Sequence, residues 1–193
     1  VYYKHKSITK KIAVAQGGGQ AGKTIAILQV IIDYALENPK SITTVFGMTY
    51  DHLERGALRQ FKELVDYNDK VKYFFENPES VRGPFKLKNK SIIEFIALDK
   101  PSKALGAKRD VSFLNEANEI SYQTYRNISL RTTKRIHIDY NPIAEFWVHT
   151  KVLPFKNEAY GYIANFTHNE FAPPEAVEEL KGYLIKWKET GSP

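Results

Sequence analysis

A glycine-rich segment near the start of the sequence carries residue types that bind phosphate groups. It reads Gly17-Gly18-Gly19-Gln20-Ala21-Gly22-Lys23-Thr24, which fits the spacing G-x-x-x-x-G-K-[ST]. Glycines let the backbone wrap with its N–H groups pointing inward, and a following helix adds partial positive charge at its N-terminus. Lys23 is predicted to reach the β- and γ-phosphates, and Thr24 to hold Mg²⁺ through its hydroxyl group. The segment therefore predicts a nucleotide site, which we expect to take ATP and Mg²⁺.

Hydrolysis needs an acidic group beside the phosphates as well as a loop that binds them. The candidate is Asn115-Glu116, which directly follows a short apolar strand, Val111-Ser112-Phe113-Leu114. Glu116 is predicted to be the catalytic base that polarises the attacking water. Asn115 stands where an aspartate is usual, and its carbonyl group can still accept a hydrogen bond from Mg²⁺-bound water. The alternative is a strand that ends at a surface glutamate; Asp110 and Glu119 are interpreted as surface or capping residues.

Polar side chains also follow a second strand, in the run Ile136-His137-Ile138-Asp139-Tyr140-Asn141-Pro142. The carboxyl ends of parallel strands face the ligand crevice of an open α/β sheet, so Asn141 is a candidate sensor of the γ-phosphate or its water. Asn-Pro is also common in turns, which leaves a purely structural interpretation open. His137 is predicted to be structural, because no second histidine or carboxylate stands at a zinc-like spacing from it.

The elements that must position these residues follow from hydrophobic periodicity. Strands are predicted at 10–16, 41–48, 111–114, 135–140 and 160–166, a hairpin at 85–97, and helices at 23–37, 51–67, 122–130, 145–152 and 173–188. Strands that alternate with helices indicate an α/β fold with a mainly parallel sheet flanked by helices, to which the hairpin adds an antiparallel pair. Because this sheet carries a phosphate loop, we expect a P-loop NTPase of the RecA/ASCE-like type. Residues 1–193 are interpreted as one such domain.

Composition narrows the possible classes of protein. The 193 residues contain no cysteine, which excludes disulfides and thiolate metal sites. No stretch approaches the roughly 20 apolar residues of a membrane-spanning helix. The net charge of +6 favours a polyanionic partner such as nucleic acid, although a solvated, lysine-rich surface explains it equally well.

Three segments together resemble the large subunit of tailed-phage terminases, the motors that pump viral DNA into a prohead. The segments are 16–24, 113–120 and 138–142, the last followed by Phe146-Trp147. The most specific part is Asn115-Glu116-Ala117-Asn118-Glu119, which resembles a branch of the family in which asparagine replaces the usual aspartate. The phosphate loop alone does not separate terminases from other ATPases.

The resemblance implies a role for each matching residue. Lys23 and Thr24 match the family's phosphate and Mg²⁺ residues, and Glu116 matches its catalytic glutamate. Tyr140-Asn141-Pro142 resembles the motif that couples hydrolysis to domain movement.

The resemblance also points to a missing cation. Many family members carry an arginine in the phosphate loop, at the position that Gly19 holds here. An arginine finger from a neighbouring subunit of a ring would then complete the site. Lys108 and Arg109 are the candidates for such a finger, with Arg131 less favoured, and a solvated surface cation is the alternative for each.

The function that follows is ATP hydrolysis that powers translocation of double-stranded DNA during viral genome packaging. The implied partners are double-stranded DNA, the portal protein and the small terminase subunit, with a homo-oligomeric ring acting in the cytoplasm of the infected bacterium. A metal-dependent nuclease domain is expected beyond Pro193. Two alternatives stay open: another P-loop enzyme such as a small-molecule kinase, or a nucleotide switch without hydrolysis, which the neutral Asn115 motivates.

Overall fold

A computed structural model describes residues 1–165 together with residues 167, 169, 174, 175, 177, 178 and 181. The described part contains one seven-stranded sheet. Its strands are β1 (Ile12–Gln16), β2 (Ile42–Gly47), β3 (Phe85–Lys86), β4 (Ile92–Ala97), β5 (Arg109–Leu114), β6 (Thr132–Tyr140) and β7 (Ala159–Ile163). Their order is β3-β4-β2-β5-β6-β1-β7, and every pairing is parallel except the antiparallel pairing of β3 with β4. The predicted mainly parallel sheet with an antiparallel hairpin is therefore confirmed.

The helices that periodicity predicts agree with the structure except in one place, and two short helices, Tyr2–Lys6 and Asp69–Lys72, are not predicted. They are α1 (Tyr2–Lys6), α2 (Lys23–Glu37), α3 (Tyr50–Arg55), α4 (Ala57–Tyr67), α5 (Asp69–Lys72), α6 (Tyr122–Arg131) and α7 (Trp147–Lys151). The single helix predicted over 51–67 is wrong, because Gly56 adopts φ −109° and ψ −106° and separates α3 from α4. The helix predicted over 173–188 lies largely outside the described residues. None of the described helices is long and apolar enough to cross a bilayer.

Alternation along the strands gives the sheet two separate cores. Ala13 and Ala15 of β1 pack with α2 and α4 on one face, whereas Ile12 and Val14 pack with α6 and α7 on the other. The same parity in β6 places Ile138 in the second core and turns His137 and Asp139 towards the α2 face. The face that holds the phosphate loop and α2 therefore also receives the ionisable side chains of β6.

Candidate active site

The glycine-rich segment connects β1 to α2 and owes its shape to glycine at two positions. Gly22 caps α2 in the left-handed region, with φ 70°, where a side chain would be strained. A Cβ atom on Gly17 would lie 2.0 Å from the carbonyl oxygen of Ala164, so the backbone can pass there only without a side chain. Gly19 faces open space, where a longer side chain would meet no obstacle. The local sequence therefore fixes a loop that opens at the N-terminus of α2.

Lys23 lies beneath this loop and is only 8% exposed. Its Nζ atom donates to the carbonyl oxygens of Gly17 and Gly18, at 2.7 and 2.8 Å, and to Oδ1 of Asn141 at 3.2 Å. Burial lowers the pKa of Lys23, and the negative charges of Asp139 and Glu116 oppose that shift. The structure therefore brings together Lys23 and Asn141, two predicted site residues that come from distant segments of the sequence.

Thr24 contacts a carboxylate for which the sequence motifs predict no role. Its Oγ1 atom donates to Oδ2 of Asp139 at 2.6 Å. Asp139 is 1% exposed and also accepts hydrogen bonds from Nδ2 of Asn115, at 3.0 Å, and from the backbone N–H of Glu116, at 2.8 Å. Burial raises the pKa of Asp139, and these hydrogen bonds together with the positive charge of Lys23 oppose the rise. One buried carboxylate thus joins the phosphate loop to the end of β5.

Glu116 has an unusual backbone conformation at the end of β5. Its φ of 53° and ψ of 55° lie in the left-handed region, which costs a residue with a side chain about 1–3 kcal/mol. The Asp139 carboxylate holds this turn through the Glu116 N–H group. The Glu116 side chain is 2.9 Å from Nε2 of His52, on α3, and Nδ1 of His52 is 3.3 Å from Glu119. Burial raises the pKa of Glu116, and His52 acts in the opposite direction.

His52 is a site residue that the sequence motifs do not predict, and no local signal could have found it. It lies on a helix that follows β2, 64 positions before Glu116 in the sequence. Only the adjacency of β2 and β5 brings the two side chains together. Glu119 lies on the surface, as predicted, but His52 also joins it to Glu116. Asp110, in contrast, accepts the backbone N–H of Ile42 at 2.9 Å, in keeping with a structural role.

The segment Tyr140-Asn141-Pro142 at the end of β6 also contacts its surroundings through Tyr140. The Tyr140 hydroxyl donates to Oε1 of Gln16 and lies 2.9 Å from Nε2 of His149, on α7. Burial raises the pKa of Tyr140 to about 12, so the hydroxyl stays protonated at neutral pH. The end of β6 is therefore bonded both to β1, which leads into the phosphate loop, and to α7.

The candidates for a finger differ sharply in exposure. Arg109 is 4% exposed, donates through Nε and Nη2 to the carbonyl oxygen of Ala107, and lies over the ring of Phe46. Burial and these contacts within its own domain disfavour Arg109 as a finger for a neighbouring subunit. Lys108 and Arg131 are exposed. Both therefore stay candidates, with Arg131 less favoured.

His137 belongs to a buried cluster away from the phosphate loop. Its Nδ1 atom lies 2.7 Å from Nε2 of His5, whose Nδ1 lies 3.2 Å from the Tyr162 hydroxyl. Burial lowers the pKa of His5 to about 3 and that of His137 well below its ordinary value. These neutral rings connect α1 to the sheet, and the prediction of a structural role for His137 is confirmed.

The fold and the site together define a P-loop nucleotide-binding domain, with its phosphate loop after β1 and an acidic strand end two strands away. Residues 9–184 match the sequence profile of the phage terminase large subunit family. The chain therefore belongs to that family. No curated protein matches it.

Solved terminases share this fold at low sequence identity. The large terminase of a thermophilic bacteriophage superposes with a TM-score of 0.75 and 14% identity, over 89% of this chain and 45% of that one. The large terminase ATPase domain of Thermus phage P74-26 gives 0.62 and 17%, over 98% and 87%. The large terminase of bacteriophage HK97 gives 0.68 and 11%, over 98% and 46%. The chain thus spans about half the length of the first and third of these proteins and most of the P74-26 domain.

Proposed function

We propose that this chain hydrolyses ATP and that hydrolysis drives the movement of double-stranded DNA during phage genome packaging. Two contacts at the carboxyl ends of β1, β5 and β6 carry the proposal. Lys23 donates to Asn141, and Asp139 accepts from both the Thr24 hydroxyl and the Glu116 backbone N–H. Family membership gives this arrangement its biological setting. The large terminase of the thermophilic bacteriophage described above has also been solved in complex with ATPγS and with ADP. Those complexes support an adenine nucleotide as the ligand of this chain.

The side chains present suit Mg²⁺. The Thr24 hydroxyl and the Asp139 carboxylate are hard oxygen ligands within one hydrogen bond of each other, and Asn115 adjoins them. When bound, Mg²⁺ neutralises charge on the phosphates. Thr24 would hold it directly, and Asn115 and Asp139 would hold its water molecules.

Each protein group has one task in the proposed reaction. The ammonium group of Lys23 binds the β- and γ-phosphates and offsets their negative charge. Glu116 accepts a proton from the attacking water. Partial burial raises the pKa of its carboxylate, which makes the carboxylate a stronger base. Asn141, bonded to Lys23, is placed to respond when the γ-phosphate leaves. Opening and closing of the crevice would convert that response into movement.

Phosphate release from ATP without any acceptor separates this proposal from its alternatives. A hydrolase releases phosphate under these conditions, a small-molecule kinase needs its acceptor, and a nucleotide switch binds ATP without turnover. We expect sustained release from the purified chain with Mg²⁺. Tight ATP binding without release would favour the switch.

Replacing the predicted base provides the residue-level test. Glu116→Ala is expected to abolish measurable hydrolysis, a loss of about 10²–10⁴-fold, because proton transfer by a positioned side chain contributes that much. ATP binding should be retained, since the phosphates are held by the loop. Hydrolysis at the wild-type rate would refute the assignment of Glu116.

The partners are proposed on the family alone. Double-stranded DNA fits the positive net charge, and contacts to its phosphates would make binding strongly dependent on salt. We further propose a homo-oligomeric ring that engages the portal protein and the small terminase subunit in the host cytoplasm, and a nuclease domain beyond Pro193.

A cationic finger from a neighbouring subunit would make the ATPase activity depend on protein concentration. If Lys108 acts in a second subunit, activity should rise more steeply than linearly with protein concentration, and Lys108→Ala should remove that excess. Arg131→Ala tests the less favoured candidate in the same assay, and Lys70→Ala provides the matched control on another exposed cation. Strict linearity from dilute protein would argue against a finger in trans.

A further inference from the structure

Asp139 is a buried carboxylate held only by neutral donors. Three groups donate to it: the hydroxyl of Thr24, the side-chain amide of Asn115 and the backbone N–H of Glu116. It makes no ion pair with any residue that the structure describes. The nearby cation, Lys23, directs its Nζ atom to the loop carbonyls and to Asn141 instead. The negative charge of Asp139 is therefore solvated by hydrogen bonds and attracted by Lys23 nearby, but no ion pair among the described residues neutralises it.

Such a charge is costly unless something compensates for it. An ionised carboxylate at 1% exposure loses its hydration, and hydrogen bonds from neutral groups replace only part of that loss. A carboxylate serving only to hold the Glu116 turn could be replaced by an uncharged acceptor at lower cost. The charge is explained if a cation shares the site with the Thr24 hydroxyl.

We propose that Asp139 supplies the negative charge of the magnesium site, in place of an acidic residue at position 115. The inference rests on the proposed function, because it presumes that the loop binds a nucleotide with Mg²⁺. Asp139 is then a positioning residue that acts through Thr24 and the metal's water molecules. Asn115, instead of carrying the charge, donates its amide to the residue that does.

The register of the sheet explains how a carboxylate on β6 can take the place of one at the end of β5. Leu114 of β5 pairs with Ile138 of β6 in a parallel register, so Asn115 and Asp139 lie side by side at the carboxyl end of the sheet. Their side chains meet at 3.0 Å, between the nitrogen of one and an oxygen of the other. Exchanging amide and carboxylate would move the charge by roughly one hydrogen-bond length and keep the pair intact.

The first experiment measures metal binding without turnover. Mn²⁺ is titrated into the purified chain with ATPγS and followed by electron paramagnetic resonance. Asp139→Asn, which removes the charge at nearly constant shape, should weaken Mn²⁺ binding about 10- to 100-fold. Binding of ATPγS in EDTA should stay close to that of the wild type. Wild-type Mn²⁺ affinity in this variant would overturn the proposal, as would an equal loss of ATPγS affinity in EDTA.

The second experiment restores a negative charge to the site by placing a carboxylate at position 115. The double variant Asn115→Asp/Asp139→Asn should recover a large part of the Mn²⁺ affinity lost in the single variant. Failure to recover would mean that the charge is not the cause of the loss, and would overturn the proposal.

A third variant covers the case in which Asp139→Asn does not fold. Asn115→Asp in the wild-type chain places a second carboxylate beside Asp139, so the midpoint of thermal unfolding should fall without metal. Mn²⁺ with ATPγS should then raise that midpoint more than it does in the wild type. An equal rise in both proteins would contradict a metal site at Asp139.

These outcomes are separate from those of the proposed function. A wild-type chain that binds Mn²⁺ with ATPγS but releases no phosphate would refute hydrolysis and leave the Asp139 assignment to be decided by the variants.

Discussion

His137 and Asp139 lie two residues apart on β6, and both are buried on the side of the sheet that α2 covers. His137 contacts another histidine, and burial holds both rings neutral at physiological pH. Asp139 contacts a hydroxyl, an amide and a backbone N–H, all of which donate to it.

The difference follows from position along the strand. At the level of His137 the backbone groups of β1, β5 and β6 are engaged in pairing, so a buried side chain meets only other side chains. At the carboxyl end the strands give way to loops, whose N–H groups and side chains are free to turn towards an anion. One strand can therefore stabilise the fold in its middle and serve a binding site at its end.

Among the changes that test this comparison, the largest expected effect comes from removing the hydroxyl that joins Asp139 to the loop. Thr24→Val keeps the shape but takes one donor from a buried carboxylate, so turnover should fall about 10²–10³-fold. Thr24→Ser is the matched control and should retain most activity. Both are checked by phosphate release at saturating ATP. Equal activity of the two variants would show that the hydroxyl is dispensable.

An intermediate effect is expected on the free energy of unfolding when the pH is lowered, because the buried histidines His5 and His137 must then take up protons. Because the folded-state pKa of His5 is about 3 and that of His137 is also lowered, the unfolded chain binds more protons below about pH 6.5. Stability is thus complete above that pH and falls as the pH decreases towards 3. Each histidine should contribute about 1.4 kcal/mol per pH unit within this window.

Urea unfolding between pH 7 and 4 measures this slope. His137→Gln should lower the slope by about one histidine's share, while ATP affinity at pH 8 stays near the wild-type value. An unchanged slope would contradict the neutral, buried state of His137. A large loss of ATP affinity would contradict the claim that the middle of β6 stabilises the fold while only its carboxyl end serves the binding site.

The smallest expected effect concerns His52, which contacts the predicted base. Since His52 lowers the pKa of Glu116 against the effect of burial, His52→Ala should raise that pKa. The acidic limb of the pH–turnover profile should then move to higher pH, and activity near pH 6 should drop by about a few-fold. A profile that keeps its acidic limb would mean that His52 does not act on Glu116.

Much of the fold could be predicted because its signals are local. The helix at Lys23–Glu37 and the hairpin that contains Phe85 follow from spacing and turn residues over short windows. The break at Gly56 could not be predicted in the same way, because the amphipathic pattern continues through it into α4.

The same distinction between local and non-local signals applies to the site. The phosphate loop is a local motif, so its spacing alone predicts roles for Lys23 and Thr24. Asp139 is visible in the sequence, but its role is not, because its partners come from two other segments and depend on the register of β5 with β6. For Arg109, the residue type indicates a charged contact, whereas the packing over Phe46 that buries it is non-local.

The most direct test of the account is a single-turnover measurement with [γ-³²P]ATP bound to an excess of the chain in the presence of Mg²⁺. Wild type and Glu116→Gln are compared at equal occupancy, which is verified by filter binding. The account predicts first-order release of phosphate from the wild type and release no faster than the solution background from the variant. Equal rates from the two proteins, or no release from either, would contradict it.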